Sequence, residues 1–213
     1  MVSGGHSNIL DVRDLASDVK SLGRTLDDAA GEAFDKVGRL LGLPYPGGPH
    51  VDRLSREGDP QAIRFPRGLE GGRYRDTHRY DFSFSGLKTA VARYVNGMRE
   101  AEREVSVADV CAGFSEAIND SLTSKTVRAA LDADCDTIVV GGGFSANSRL
   151  RELLVERAAE HGMTVRIPPL RFCTDNGAQI AAMGSTLMRA GVPGSPLDFS
   201  PDSHMSLSCP SMR

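Results

Sequence analysis

A chain of 213 residues with 40% apolar content and a formal net charge of −3 is long enough to bury one large core or two small ones. The slightly acidic balance argues against bulk electrostatic attraction to nucleic acid but leaves room for a local basic patch. No apolar run is long enough to span a bilayer, the first residues lack the basic and apolar regions of a signal peptide, and Cys111, Cys135, Cys173 and Cys209 stand far apart with no C-x-x-C pair, which points to a reduced, cytoplasmic protein without a membrane span.

Residues 2–6, V-S-G-G-H, read as the end of a strand entering a glycine turn. A domain rarely starts inside such a loop, so a preceding segment is expected. Thr25 is expected to cap a helix, with Asp28 three residues on. Leu26, Ala30, Phe34, Val37 and Leu41 then recur at helical spacing, and Gly42 ends the run. Asp28, Glu32 and Asp35 share another face with no compensating base at the next turn; spacing alone supports a solvated face and a functional one equally. Residues 45–49, Y-P-G-G-P, form a rigid turn. Residues 51–80 are loop-rich and carry Arg53, Arg56, Arg64, Arg67, Arg73, Arg75 and Arg79 among Phe65, Tyr74 and Tyr80. Arginines interleaved with aromatics suit phosphate contact and base stacking; the acids nearby support a plain solvated loop as well.

F-S-F-S-G-L-K-T at 82–89 lacks the spacing of a phosphate loop, although Lys88 remains a candidate single charge beside a ligand. Ser106 is expected to cap a long helix that buries Val107, Val110, Cys111, Phe114, Ile118 and Leu122. Residues 137–140 read as a buried strand, followed by Gly141, Gly142 and Gly143 and then by a helix carrying Leu150, Leu153, Leu154 and Ala158 on one face. A strand, a glycine turn and a helix N-terminus together make a seat for an anionic or nucleotide ligand. The helix ends at Gly162 and 164–167 read as another strand, so a parallel α/β layer is expected. In C-T-D-N-G-A-Q-I-A-A at 173–182, Thr174 or Asp175 caps a helix whose apolar side is Ile180, Met183, Leu187 and Met188; on the residues alone Asp175 reads as a plain cap. After Gly191 the tail is rich in Pro, Ser and Asp and is expected to be poorly ordered.

Six stretches, V-S-G-G-H, D-D-A-A-G-E-A-F-D-K, L-G-L-P-Y-P-G-G-P, F-S-F-S-G-L-K-T, G-G-G-F-S-A-N and C-T-D-N-G-A, occur in this order over about 190 residues. Together they resemble the bacterial tRNA threonylcarbamoyladenosine transferase (TsaD) family, once described as sialoglycoprotein endopeptidases. The resemblance implies an actin-like ATPase (RNase H-like) α/β fold truncated at its N-terminus. Residues 1–192 would form the C-terminal lobe and 193–213 a flexible tail. It implies transfer of a threonylcarbamoyl group from threonylcarbamoyl-AMP to N6 of adenosine 37 in tRNA, with TsaB-like and TsaE-like partner proteins. It places Met1, Val2, Ser3, Gly4, Gly5, Asp35, Gly48, Asp52 and Asn147 on substrate, and Asp175 on a metal, Fe2+ or alternatively Zn2+. No side chain is singled out as catalytic. Gln179 stands where the family has Met, and Phe144 where it usually has Val. The family's metal-binding pair of histidines, separated by three residues, has no counterpart among His6, His50, His78, His161 and His204. Two other readings stay open: an actin-like ATPase or carbamoyltransferase acting on another substrate, and a non-catalytic lobe that binds nucleotide or partners. A peptidase is the weakest reading, since no H-E-x-x-H or nucleophile–base pattern appears.

Overall fold

The computed structural model describes residues 1–72 and 74–200; Arg73 and residues 201–213, with His204 and Cys209, lie outside the described residues. The structure pairs two small two-stranded sheets with a set of helices. The first is an antiparallel hairpin, β1 (Asn8–Asp14) and β2 (Asp18–Arg24), which carries no clear alternation in the sequence. Its turn is fixed by Asp14, whose carboxylate accepts from the Ala16 and Ser17 N–H groups at 2.9 and 2.8 Å and from the Ser17 hydroxyl at 2.7 Å. The second sheet is the expected parallel pair, β3 (Thr137–Val139) and β4 (Thr164–Arg166).

The helices are α1 (Ala30–Leu40), α2 (Gly47–Ser55), the short α3 (Tyr74–Thr77), α4 (Ser85–Glu100), α5 (Val107–Asp132), α6 (Ser148–Ala159) and α7 (Gly177–Arg189). The 26-residue α5 is the spine and packs against α2 and α6. Ser106 caps it by accepting from the Asp109 N–H, as its sequence predicts, and Val110, Cys111, Phe114, Ile118 and Leu122 are all buried. Burial pushes the Cys111 thiol up to about 12. That thiol is inert at neutral pH.

Three sequence expectations change. Thr25 does not cap α1, which starts at Ala30 after Ala29; Thr25 instead bridges to Phe82, and Leu26 is exposed. The glycines of 45–49 open a helix, α2, rather than a free turn. Its start is satisfied from a distance by Asp35. The α7 cap is Asn176, which accepts from the Gln179 N–H at 3.1 Å, and not Thr174 or Asp175. No residue of α7 is buried, and Ile180 and Met188 of its apolar side are exposed. Residues 193–200 carry no helix or strand.

The arginine-rich segment is pinned rather than free. Arg53, Arg56, Arg67 and Arg79 form ion pairs with Glu57, Asp52, Asp120 and Asp132. Asp120 of α5 also binds Arg157 of α6, so one carboxylate ties the segment, the spine and α6 together. Lys125, 1% exposed, donates to the carbonyl of Asp81 at 2.6 Å from beneath. Burial alone would push the Asp120 carboxyl up, but the hydrogen bonds from Arg157 and Arg67 outweigh it and hold it below its ordinary 3.8. A depressed carboxylate stabilises the fold above its unfolded pKa, and that contribution is lost as the pH falls through the folded value. Acid unfolding monitored by circular dichroism is therefore expected to be shallower below about pH 4 in Asp120→Asn than in the parent. Identical acid limbs in the two proteins would remove Asp120 from that role.

Candidate functional site

The two glycine turns of the sequence meet at the carboxyl end of β3. The Val2 N–H donates to the Gly141 carbonyl at 2.8 Å and the Phe144 N–H to the Val2 carbonyl at 3.1 Å. This contact requires glycine at 142. Its φ is +98° with ψ 160°, and a Cβ there would lie 2.3 Å from the Val2 oxygen. The first turn is held from the other side by α1, whose Gly31 and Glu32 N–H groups donate to the Ser3 and Gly4 carbonyls. A Cβ on Gly31 would come within 2.8 Å of Gly4, so the helix start can lie against the turn only because residue 31 has no side chain.

Between these turns, α1 and the start of α2 lies a cavity of about 400 Å³. Gly4, Asp35, Gly48, Asp52 and Asn147 line it, joined by Gly31, Phe34, Arg56, Gly143 and Phe144. Asp35 accepts from the Gly47 and Gly48 N–H groups through Oδ1 at 2.8 and 3.2 Å, which steadies the α2 N-terminus. Asp52, from α2, accepts through Oδ1 from the N–H and hydroxyl of Ser148 at 3.1 and 3.0 Å, and so does the same for α6. Its Oδ2 faces Arg56 at 3.5 Å. Each carboxylate thus spends one oxygen on a helix start; the other oxygen of Asp52 pairs with Arg56, and both residues line the cavity beside Asp35.

Asn147 caps α6 by accepting from the Leu150 N–H at 2.9 Å, and the same Oδ1 accepts from Nδ2 of the fully buried Asn119 at 3.0 Å. With Oδ1 doubly committed, the amide presents Nδ2 as its free donor. The cavity therefore has hydroxyl acceptors on the α1–α2 side, a donor at Asn147, and backbone at Gly4 and Gly143 where a Cβ would meet nothing within 3.8 Å. Such an arrangement suits a polyhydroxylated ligand with a phosphate.

Of the nine substrate positions expected from the sequence, five line this cavity. Met1 and Val2 pair with neighbouring strands and border a second, apolar cavity, while Ser3 and Gly5 border neither. The three acids on the α1 face divide: Lys36 answers Asp28 at 2.6 Å and Glu32 at 2.7 Å, and only Asp35 turns to the cavity. Lys88 does not line this cavity; it pairs with Asp28 at 2.7 Å. F-S-F-S-G serves a carboxylate instead. Asp27 accepts from the Ser83 and Ser85 hydroxyls and from the Phe84 N–H, all within 2.8 Å. Sequence reasoning missed Arg56 and Asn119. Arg56 is visible only once α2 is a helix that puts it four residues after Asp52. Asn119 had a signal, since Ser115 and Asn119 stand four apart inside an apolar helix.

Asp175 is exposed on the loop before α7, and that loop abuts the glycine turn: a Cβ on Gly143 would lie 3.9 Å from Thr174 Cγ2. Among the described residues no three His, Cys, Asp or Glu side chains stand close enough together to hold a metal ion. One exposed carboxylate does not make a transition-metal site, so the residues described here do not fit an iron or zinc ion by themselves. The purified chain is expected to carry far less than one iron or zinc per molecule by plasma mass spectrometry. Stoichiometric metal that survives dialysis would show that it builds a site from other residues.

The model of the family described as "TsaD: tRNA N6-adenosine threonylcarbamoyltransferase" matches residues 1–182. A protein named tRNA N6-adenosine threonylcarbamoyltransferase from Bifidobacterium longum (strain NCC 2705) is 51% identical over 212 residues, and its namesake from Bifidobacterium adolescentis is 50% identical over the same length. Each alignment covers 100% of this chain and 61% of the relative, so the chain spans about three fifths of their length. Among solved structures, HypF from T. kodakarensis superposes with a TM-score of 0.58 over 77% of this chain and 20% of its own, at 16% identity. Full-length HypF in a phosphate- and nucleotide-bound form gives 0.54 over 79% and 21%, also at 16% identity. At that identity the likeness is one of fold alone. No helix of the described residues is long and apolar enough to cross a membrane.

Proposed function

Because this chain belongs to the TsaD family of tRNA N6-adenosine threonylcarbamoyltransferases, with an actin-like ATPase α/β fold, we propose that its cavity between α1, α2 and the two glycine turns holds the adenylate of threonylcarbamoyl-AMP for acyl transfer to tRNA. The observation that carries this reading is the convergence of Asp35 from α1, Gly48 and Asp52 from α2, and Asn147 from the start of α6 on one cavity of about 400 Å³. The spare oxygen of Asp35, and that of Asp52 beside Arg56, accept from ligand hydroxyls. The Nδ2 of Asn147 donates to the nucleotide. The backbone of the glycine turns offers N–H groups to the phosphate.

In the reaction, N6 of adenosine 37 attacks the carbamoyl carbon; a C–N bond forms, the bond from that carbon to the phosphate oxygen breaks, the amine loses a proton, and AMP leaves. An exocyclic amine is a weak nucleophile, so the work of these residues is positioning and charge stabilisation. No step is assigned to iron or zinc. TsaB-like and TsaE-like proteins are the proposed partners and the cytoplasm the proposed place. An actin-like carbamoyltransferase acting on another substrate is separated by mass spectrometry of tRNA from a deletion strain, where unchanged threonylcarbamoyladenosine would favour it.

Isothermal titration with AMP tests the cavity directly. Asn147→Ala is expected to weaken binding at least tenfold while costing about 1 kcal/mol of stability through the lost α6 cap. Equal heats from the two proteins would remove Asn147 from the site.

A further inference from the structure

Asn119 sits in the middle of α5, fully buried on a helix whose Phe114, Ile118 and Leu122 are buried as well. A buried amide destabilises a core unless all of its polar groups are paired. Asn119 is paired only at its nitrogen. Nδ2 donates to Ser115 Oγ at 3.1 Å and to Asn147 Oδ1 at 3.0 Å, while its Oδ1 is buried with no partner. A leucine of similar shape would spare the core that orphaned acceptor. The bond to Ser115 stays within α5 and joins no two elements. What the amide adds to the molecule is therefore its reach to Asn147, 28 residues on.

The α6 cap does not depend on that reach. The Leu150 N–H already holds Asn147 Oδ1 at 2.9 Å. One bond to one oxygen leaves the amide plane free to turn, because the last torsion of an asparagine is broad. A second donor, arriving at the same oxygen from α5, fixes the plane. It also fixes the polarity: the Leu150 N–H and Asn119 Nδ2 both donate, so Asn147 answers them with oxygen and turns nitrogen to the cavity. Asn147 lines that cavity and Asn119 does not.

We propose that Asn119 is a positioning residue for the ligand, one that fixes the Asn147 amide so that Nδ2 meets a hydrogen-bond acceptor of the nucleotide in a single direction. The proposal rests on the adenylate reading of the cavity and adds what orients its donor. An orphaned acceptor in the core is the cost, and a wall group oriented before the ligand arrives is the gain, since ordering that group no longer falls on binding. Asn119 touches no ligand and acts through Asn147 alone.

Isothermal titration with AMP, run as a double-mutant cycle, tests that dependence. Asn119→Leu is expected to weaken AMP about fivefold, the size of one coupling within a hydrogen-bond network. In a chain already carrying Asn147→Ala, the same substitution is expected to change AMP affinity by less than about twofold. The melting temperature of Asn119→Leu is expected to equal or exceed the parent's, because the orphaned acceptor is gone and the Ser115 hydroxyl can turn to a carbonyl of its own helix. A residue that only shaped the fold would lower stability and binding together. Without ligand, the nitrogen relaxation order parameter of the Asn147 side chain is expected to be high in the parent and below about 0.6 in Asn119→Leu. Asn119→Ala removes the same donor without adding bulk and takes over if the leucine variant does not fold. Unchanged AMP affinity, a loss that persists in full beside Asn147→Ala, or an unchanged order parameter would each overturn the proposal. If the parent itself gives no heat with AMP, the adenylate reading falls, and the order parameter alone decides for or against Asn119.

Discussion

Gly142→Ala is expected to lower the melting temperature by about 6–12 °C. Two costs add. At φ +98° and ψ 160° the residue sits in a region essentially reserved for glycine, worth roughly 1–3 kcal/mol for an L side chain. The new Cβ would also lie 2.3 Å from the backbone oxygen of Val2, and that oxygen accepts from Phe144, so the two glycine turns must part. A combined loss near 3 kcal/mol gives the stated shift for a chain of this size. Gly141→Ala is the control: a Cβ there meets nothing within 4 Å, and its φ is not in the left-handed region. Thermal unfolding of the two variants beside the parent decides the matter. If Gly142→Ala melts with Gly141→Ala, the close approach of the turns does not govern stability.

Phe34→Ala and Asp35→Asn, adjacent in sequence, are expected to fail in opposite ways. Phe34 is fully buried, with its ring 4.9 Å from those of Phe114 and Phe144, so truncation is expected to cost about 3–5 kcal/mol. Asp35→Asn keeps an amide oxygen to accept from Gly47 and Gly48 and is expected to stay within about 1 kcal/mol of the parent. Its loss appears instead in AMP titration. Asp35→Ala removes the acceptor as well and is expected to add a capping cost of about 0.5–2 kcal/mol. Denaturant melts and titration on all three separate folding from binding. A melt of Asp35→Asn as low as that of Phe34→Ala would make the aspartate structural.

The parts of the fold legible in the sequence are those whose signal is local. The α5 stripe and its Ser106 cap, the glycine turn after β3, the α6 face and the parallel pair all arise from neighbours a few residues apart. What stayed hidden depends on distant partners. Gly47, Gly48 and Pro49 read as breakers because the acceptor that lets α2 begin there is Asp35, twelve residues back. Asp28, Glu32 and Asp35 look alike along the helix, yet only packing brings Lys36 and Lys88 to Asp28 and leaves Asp35 to the cavity. The arginines of 51–80 leave a nucleic-acid surface and a solvated loop equally open in the sequence because the acids that pin Arg67 and Arg79, Asp120 and Asp132, lie over 50 residues away. The cavity itself was approached through motif resemblance, which named five of its wall residues but not Arg56 or the Asn119 support beneath Asn147.

The divided use of the carboxylates has a thermodynamic corollary. A hydroxyl that draws on the spare oxygen of Asp35 or Asp52 shares that carboxylate with the first turn of α2 or α6. Occupancy and helix seating are therefore linked functions, and linkage is reciprocal. A ligand that favours the seated helix tightens it by the factor with which seating favours the ligand. Slower amide exchange in the first turns of α2 and α6 would then report occupancy without any probe on the ligand. By the same reciprocity, a substitution that frays α2 from its solvent side, out of contact with the cavity, weakens the ligand by the fraction of seated helix it removes.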